Sequence, residues 1–221
     1  MRTSLRLSAL AGIVLVSNIL IACARVPLAP QPAPLPEPGA AVTDPVAPTS
    51  SWAESLGVVS APEPWQVEPC ENAVLLCVRA NGELVGTVER FSYPVSAIDL
   101  PTGQTFSPGT ERAFLQAWVA DHYAAIEGNR RLADPSLSFG AAPPQDIAVG
   151  SQPGLRYGYT VIRPDGTLFD RGIGYVAVEG DWVHVVATGA ISGDPGGPFS
   201  DAAVLAAFEP HLDAIVQGLR L

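Results

Sequence analysis

The sequence contains no lysine, so all of its basic side chains are arginines. Twelve arginines stand against 22 aspartates and glutamates, which gives a formal net charge of −10. A chain this acidic is repelled by nucleic acid and by anionic lipid headgroups, and we expect neither as a partner. Charged residues make up only 15% of the chain and hydrophobic residues 48%, which is enough apolar material for a packed core.

Histidine and cysteine, the side chains that most often bind zinc, are also scarce. The three histidines are His122, His184 and His211, and no two of them have the spacing that places ligands on one helix face. Three cysteines are present, and none forms a Cys-x-x-Cys pair. The sequence therefore predicts no metal site and no cofactor.

Sequence motifs for nucleophilic catalysis are missing as well. No serine lies in a Gly-x-Ser-x-Gly elbow. The run GDPGGP at 193–198 resembles the Gly-Asp-Ser-Gly-Gly-Pro segment of chymotrypsin-like proteases, but Pro195 stands where that family has its nucleophilic serine. We interpret the run as a turn, because Asp, Pro and Gly are turn residues. The sequence predicts no catalytic residue and a protein that is not an enzyme.

The longest apolar run lies at the N-terminus and is short for a membrane-spanning helix. It covers Leu7–Ala22, which is 16 residues, whereas a spanning helix needs about 20. Arg2 and Arg6 precede it, and this arrangement is typical of a secretory signal peptide. We therefore expect the protein to be exported.

The apolar run ends in Leu20-Ile21-Ala22-Cys23. This sequence resembles the lipobox of bacterial lipoproteins, which has an aliphatic residue, a small residue and then an invariant cysteine. The resemblance implies that residues 1–22 are removed as a signal peptide and that Cys23 carries acyl chains such as palmitate. It also implies an anchor in the cell membrane or the outer membrane. An ordinary secretory signal or a signal anchor with a chance cysteine is the alternative.

Proline dominates the segment that follows, residues 23–64. Proline fixes φ and lacks an N–H donor, so closely spaced prolines prevent both helix and sheet. We interpret the segment as an extended tether between the lipidated cysteine and the folded domain. A ligand for a proline-recognising domain is the alternative. Near its end, Trp52, Leu56 and Val59 are spaced for a short helix that docks on the domain.

A single domain is expected over residues 65–221. The hydrophobic pattern predicts strands at 73–79, 84–93, 155–163, 167–179 and 182–191, with a type I′ turn at Asn81-Gly82. One amphipathic helix should begin after Thr110 and end at Gly128; another should follow Asp201 and bend or break at Pro210. Residues 136–154 are predicted to be mostly loop, with a short strand near Ile147 as the alternative.

The predicted fold class is therefore α+β. An antiparallel sheet, made of a hairpin and a three-stranded meander, is covered by two amphipathic helices in the order ββ-α-βββ-α. This order resembles that of the PsbP-type α/β/α sandwich, a family of extrinsic photosystem subunits and bacterial lipoproteins. The resemblance covers about residues 70–221 and carries over no functional residue.

Cys70 and Cys77 remain as a pair once Cys23 is set aside, and an exported protein is in an oxidising compartment. On one straight strand they would be about 23 Å apart, and a disulfide needs Cα atoms within about 7 Å. We predict a Cys70–Cys77 disulfide with a chain reversal at Glu71-Asn72. Two buried thiols are the alternative.

The predicted meander also concentrates aromatic and basic side chains. Sheet propensity and core packing are the more common reason for such aromatics, and exposed arginines at a sheet edge usually serve solubility. Three aspartates, Asp165, Asp170 and Asp181, fall in or beside turns, where we expect solvated turn formers. The possible binding face consists of Arg156, Tyr157, Tyr159, Arg163, Arg171, Tyr175 and Trp182.

These patterns predict a lipid-anchored cell-envelope protein whose domain acts as a non-catalytic binding or assembly module, with an envelope protein as a possible partner. The alternative is a lipid-anchored hydrolase or a small-ligand-binding protein whose site the sequence does not reveal. A purely structural envelope protein is a third possibility.

Overall fold

Alternating apolar residues in the second half of the chain build most of a single sheet. The computed structural model describes residues 51–56, 62–100, 103, 105–192 and 198–221. All of them belong to one unit, Thr43–Leu221. The predicted signal peptide, Cys23 and most of the proline-rich tether lie outside these residues. Within the described ranges, no helix combines the length and the apolarity that crossing a bilayer requires.

The sheet has seven strands, and each neighbouring pair is antiparallel. Its strand order is β1-β2-β3-β7-β6-β5-β4. The predicted α+β class is confirmed, and two strands, β1 and β4, are additional to those that the pattern predicts. In chain order the elements are α1 (Trp52–Ser55), β1 (Trp65–Pro69), β2 (Leu75–Ala80), β3 (Glu83–Pro94), a 3-10 turn (Val95–Ala97), α2 (Glu111–Ala133), β4 (Ser138–Val149), β5 (Gln152–Ile162), β6 (Leu168–Glu179), β7 (Trp182–Ile191) and α3 (Ala202–Gln217).

The two long helices pack on opposite faces of the sheet. Strand side chains point alternately to the two faces, so each strand contributes to two separate cores. On the α3 face, Ile173 and Tyr175 of β6 pack with Phe208 of α3. On the α2 face, Val176 of the same strand packs with Phe114 of α2. Each face therefore has its own hydrophobic core and its own helix.

The β2–β3 hairpin has the turn that its sequence predicts. Asn81 has φ +52° and Gly82 has φ +83°. A type I′ turn needs positive φ at both central positions, which Asn and Gly tolerate best. The hairpin is linked to β1 by the Cys70–Cys77 disulfide, with the two Cα atoms 5.3 Å apart. The chain reverses between the two cysteines, as the spacing argument predicts.

The prediction of loop over 136–154 is wrong, because β4 occupies Ser138–Val149 as an edge strand paired with β5. A proline removes a ladder hydrogen bond, which a central strand cannot lose but an edge strand can. The prolines at 143 and 144 lie at a register shift between Ala142 and Gln145. The two prolines predict a loop, because the sequence alone does not show that this strand lies at the edge of the sheet.

A tyrosine of α2 supplies hydrogen bonds at the β4 irregularity. The hydroxyl of Tyr123 accepts a hydrogen bond from the Gly158 N–H at 2.9 Å. The same hydroxyl lies 2.8 Å from the carbonyl oxygen of Ala142, to which it donates. Backbone groups beside the prolines are thus satisfied by a side chain from the covering helix.

Both long helices extend past the residues predicted to end or break them. Helix α2 continues through Gly128 to Ala133. A glycine in a helix interior costs about 1 kcal/mol, and the Arg130–Asp170 ion pair forms beyond it. Helix α3 is continuous through Pro210. Proline in a helix costs about 3 kcal/mol, and buried apolar side chains on both sides of Pro210 offset this cost.

The packed core begins before the predicted boundary at residue 65. Trp52 has no exposed surface and belongs to the α3-face core. Its indole Nε1 donates to the carbonyl oxygen of Val74 at 2.9 Å, and its backbone N–H donates to the carbonyl of Ala73 at 3.1 Å. The predicted short helix is present as α1, and Val59 lies outside the described residues. The C-terminal end of the tether is therefore part of the folded unit.

Candidate functional site

The structure divides the predicted binding face between the two sides of the sheet. Register pairs Arg156 with Tyr175 and Thr160 with Arg171, so both arginines and Tyr175 project on the α3 face. The side chains of Tyr157 and Tyr159 project on the α2 face. Because neighbouring residues of a strand point to opposite faces, a compact stretch of sequence does not form one surface.

On the α3 face, two arginines converge on one carboxylate. Glu209 of α3 forms ion pairs with Arg156 through Oε1 and with Arg171 through Oε2. The three side chains are between 20% and 25% exposed. Arg156 Nε also lies 3.2 Å from Oδ1 of Asp213, one helical turn further along α3.

Tyr175 fixes the second carboxylate of this cluster. Its hydroxyl donates to Oδ1 of Asp213 at 2.6 Å, and its side chain is fully buried. Burial raises the pKa of Tyr175 well above its usual range, and the hydrogen bond to Asp213 raises it further. Tyr175 is therefore a neutral donor that orients Asp213, and it has no surface to offer a partner.

A groove of about 370 Å³ opens beside the two guanidinium groups. We call it the arginine groove. Its floor lies where β4 and β5 carry almost no side chains, at Gly140, Ala142 and Gly158, and its wall includes Arg156, Arg171 and Glu209. Burial lowers the pKa of Arg171, and the nearby charge of Arg156 lowers it further. The groove therefore combines a flat backbone floor with two positive charges that repel each other.

The tyrosines of the α2 face are packing residues to different degrees. The ring of Tyr157 is buried, with the ring centroids of Trp118 and His122 5.8 and 5.3 Å away. It also lies over Gly174, where an added Cβ would come within 2.1 Å of the ring. Tyr157, like Tyr175, is therefore too buried to form part of an exposed binding face. Both tyrosines are core-packing residues, which is the alternative that the sequence offers.

A second polar cluster lies on the α2 face and was not predicted from the sequence. Asp170 was expected to be a solvated turn former, but its side chain is 3% exposed and lies in β6. Arg130 of α2 donates to Asp170 Oδ2 from Nε at 2.8 Å and from Nη2. Burial raises the pKa of Tyr159 to about 12, and the charge of Asp170 contributes in the same direction. The signal available in the sequence was that Asp170 lies within the predicted strand 167–179 and not in its flanking turns.

These three side chains border a cavity of about 360 Å³, which we call the aspartate pocket. Glu89 of β3 lines it from the opposite side. Its floor consists of small residues of β7, Ala187 and Gly189. The pocket thus brings together four titratable groups from three strands and one helix.

The remaining members of the predicted face lie elsewhere. The guanidinium of Arg163 lies 4.9 Å from the ring centre of Phe169, and its Nη1 donates to the carbonyl of Leu168 at 2.8 Å. It stabilises the β5–β6 hairpin. Trp182 lines a different cleft with Phe106. Neither residue lines the arginine groove.

A serine and a histidine also meet across two strands. Ser92 and His184 are directly opposite on β3 and β7, with Ser92 Oγ 2.9 Å from His184 Nδ1. Burial lowers the pKa of His184, and the charge of Arg90 lowers it further. His184 is only 8% exposed, which leaves little surface for a substrate. Across the part of the chain that the structure describes, no group of three or more potential ligands is placed to bind a metal ion.

Comparison with known proteins finds little similarity. No protein-family model matches the chain, and no curated protein matches it. Among solved structures, the chain is similar to the solution structure of cyanobacterial PsbP (CyanoP) from Synechocystis sp. PCC 6803, with a TM-score of 0.40 and 10% sequence identity. The match covers 73% of this chain and 84% of that one. Similarity at this level identifies neither a family nor a function.

Proposed function

We propose that this protein is an exported, lipid-anchored envelope protein whose folded unit is a non-catalytic binding module, and that the arginine groove is its binding site. The observation that carries the proposal is the pairing of Arg156 and Arg171 on one groove wall, where they share Glu209. In a chain of net charge −10, this wall brings together two guanidinium groups, whose charge Glu209 and Asp213 balance. Guanidinium forks recognise anionic groups with defined geometry.

The anchor follows from the Leu20–Cys23 sequence. Each buried CH₂ of an acyl chain contributes about 0.8 kcal/mol, so two or three chains bind a membrane stably while one does not. The proline-rich segment then separates the membrane from the folded unit. A module held in this way meets partners that are themselves confined to the envelope.

The binding proposal is tested by affinity capture from detergent-solubilised envelopes. Three forms of the full chain serve as bait: the wild type, the double variant Arg156→Gln/Arg171→Gln, and the control Arg112→Gln. Arg112 is 63% exposed and pairs with Asp146 outside the groove. We expect one specific partner with the wild type and the control, and its loss with the double variant. Recovery of the same proteins by all three forms would contradict the proposal, provided that circular dichroism shows each form folded.

The anchor is tested separately by mass spectrometry of the mature N-terminus. We expect cleavage before Cys23 and a mass increase from acyl chains, both abolished in Cys23→Ser. An unmodified Cys23 would contradict the lipid anchor and leave the groove proposal standing.

A second candidate function, binding of a small polar ligand, is favoured by the aspartate pocket. Asp170, Arg130 and Tyr159 converge there with Glu89, and converging titratable groups beside a cavity are typical of ligand sites. Ligand-observed NMR of the wild type and Asp170→Asn with a library of small polar compounds tests it. Compounds that bind the wild type alone would support this candidate, and an empty screen would remove it.

A further inference from the structure

Glu209 bridges the two guanidinium groups of the arginine groove as an added carboxylate would. One carboxylate oxygen pairs with Arg156 and the other with Arg171. The geometry therefore already fits a carboxylate between the two side chains. Glu209 is supplied by α3, whereas both arginines belong to the sheet.

The guanidinium groups have hydrogen-bonding capacity beyond Glu209. A guanidinium has five N–H donors. Within the described residues, Arg171 donates only to Glu209, through Nη2. The second carboxylate of the cluster, Asp213, divides its Oδ1 between the Tyr175 hydroxyl and Arg156. Glu209 is thus the main compensating charge for both arginines, and it is shared.

The floor of the groove leaves room for a ligand next to Glu209. Gly140 and Gly158 have no side chains, and Ala142 between them along the floor has only a methyl group. An added Cβ at Gly140 would make only ordinary contacts, with Thr160 Oγ1 at 3.4 Å. A chain bearing a carboxylate can therefore lie along the floor and reach both guanidinium groups.

We propose that Arg156 and Arg171 form a receptor for a carboxylate of an acidic peptide segment, and that Glu209 occupies the receptor when no ligand is bound. The inference rests on the proposed function, because it names the ligand class of the same groove. A carboxylate is favoured over a phosphate because the present occupant is a carboxylate that uses one oxygen for each arginine. Ligand and Glu209 compete, so Glu209 limits the affinity.

Because Glu209 and the ligand compete, two substitutions should change the affinity for an external carboxylate in opposite directions. In Glu209→Gln the shared carboxylate is gone, so Arg171 loses its partner and Arg156 keeps only Asp213. In Arg171→Gln one half of the receptor is gone. Arg112→Gln is the control, since Arg112 is exposed and pairs with Asp146 outside the groove. Glu209→Asp retains the charge on a shorter side chain, and its affinity for the carboxylate should lie between those of the wild type and Glu209→Gln.

The test is a titration of the full chain in detergent, followed by saturation-transfer NMR. The probe is the blocked dipeptide acetyl-Glu-Glu-amide, and acetyl-Gln-Gln-amide is its uncharged counterpart. Relative to the wild type, we expect Glu209→Gln to bind the acidic probe about tenfold more tightly, which corresponds to about 1.4 kcal/mol. We expect no measurable binding by Arg171→Gln, little change in Arg112→Gln, and no binding of the uncharged probe.

Three outcomes would overturn the inference. The first is that Glu209→Gln, shown to be folded by its melting temperature, binds the acidic probe no more tightly than the wild type. The second is that inorganic phosphate binds with the same dependence on the variants while the acidic dipeptide does not, which would make the site a phosphate receptor. The third is that neither probe binds although partner capture still depends on the arginines; in that case the ligand class is wrong and the proposed function stands. If capture also fails, the proposed function fails as well.

Discussion

The two faces of the sheet each carry an arginine–carboxylate cluster, and the clusters differ in how many arginines share one carboxylate. On the α2 face, one guanidinium is matched to one carboxylate, since Arg130 directs two N–H groups to a buried Asp170. On the α3 face, Arg156 and Arg171 share Glu209 at partly exposed positions. The carboxylates differ in burial, since Asp170 is 3% exposed and Glu209 is 20% exposed, whereas Arg130 is more exposed than either groove arginine. A buried carboxylate in a one-to-one pair ties a helix to the sheet, whereas a shared and more exposed carboxylate can be replaced. The structural role therefore falls to the α2-face cluster and the proposed binding role to the α3-face cluster.

The hydrophobic cores of the two faces also differ, and this difference gives the largest expected effect. Trp52 is completely buried in the α3-face core and donates its indole N–H to Val74. Trp118 of the α2 face is only half-buried, beside His122 and Tyr157. We expect Trp52→Ala to lower the free energy of unfolding by about 4 kcal/mol and Trp118→Ala by about 2 kcal/mol. Urea denaturation measures both, and equal losses would contradict the asymmetry.

The ion clusters give the next effect. Asp170→Asn leaves the partly buried Arg130 without its charge partner, and we expect a loss of about 3 kcal/mol. Glu209→Gln removes a carboxylate that is 20% exposed rather than 3%, and Asp213 still pairs with Arg156. We expect it to cost about 1 kcal/mol. Denaturation of the two variants under identical conditions checks the order; a larger loss in Glu209→Gln would mean that Glu209 is chiefly structural.

Gly172 and Gly140 allow the faces to be compared without charge. An added Cβ at Gly172 would lie 2.1 Å from the ring of Tyr159 on the α2 face. At Gly140, on the floor of the arginine groove, its nearest neighbour would be Thr160 Oγ1 at 3.4 Å. We expect Gly172→Ala to cost about 2 kcal/mol and Gly140→Ala to change stability by less than about 0.5 kcal/mol. Thermal unfolding measures both changes in stability. A similar loss of stability at the two positions would show that the floor of the arginine groove has no room for an added side chain.

Sequence patterns predicted the parts of this molecule whose neighbours are close in the chain. Strands β5, β6 and β7 follow from alternation and tight turns, and Cys70–Cys77 follows from short-range geometry. Strand β4 did not follow, because whether its prolines are tolerated depends on its place at the sheet edge. Glu209 also escaped prediction, since α3 was recognised from its apolar stripe and the stripe does not say which strand residues its polar positions meet.

The structure divides the residues of the predicted binding face between the two sides of the sheet. Arg156 and Arg171 do converge, but their carboxylate partners come from a helix more than 30 residues away in the chain, as the separation of 38 between Arg171 and Glu209 shows. Tyr157 and Tyr175 are adjacent to the arginines in sequence or register and are nevertheless core residues. Neighbouring residues of a strand point to opposite faces of the sheet. Which residues of different strands share a face follows only from the strand register.

The histidines of the two faces give the smallest expected effect, through pH. Burial lowers the pKa of both His122, on the α2 face, and His184. The charge of Arg90 lowers the pKa of His184 further, and a nearby carboxylate acts in the opposite direction at each site: Glu179 at His184 and Asp121 at His122. A histidine with a depressed pKa binds protons more readily in the unfolded chain, so its contribution to stability is present above pH 6.5 and is lost as the pH falls below that value.

We therefore expect the free energy of unfolding to decrease from pH 7 to pH 5. His122→Gln and His184→Gln should each flatten this slope, because each removes a histidine whose pKa is lowered by burial. The test uses slopes rather than absolute stabilities, since His184→Gln also loses the contact between Ser92 and the imidazole. Urea titrations at several pH values measure the slopes, and an unchanged slope in either variant would show that its histidine does not contribute to the pH dependence.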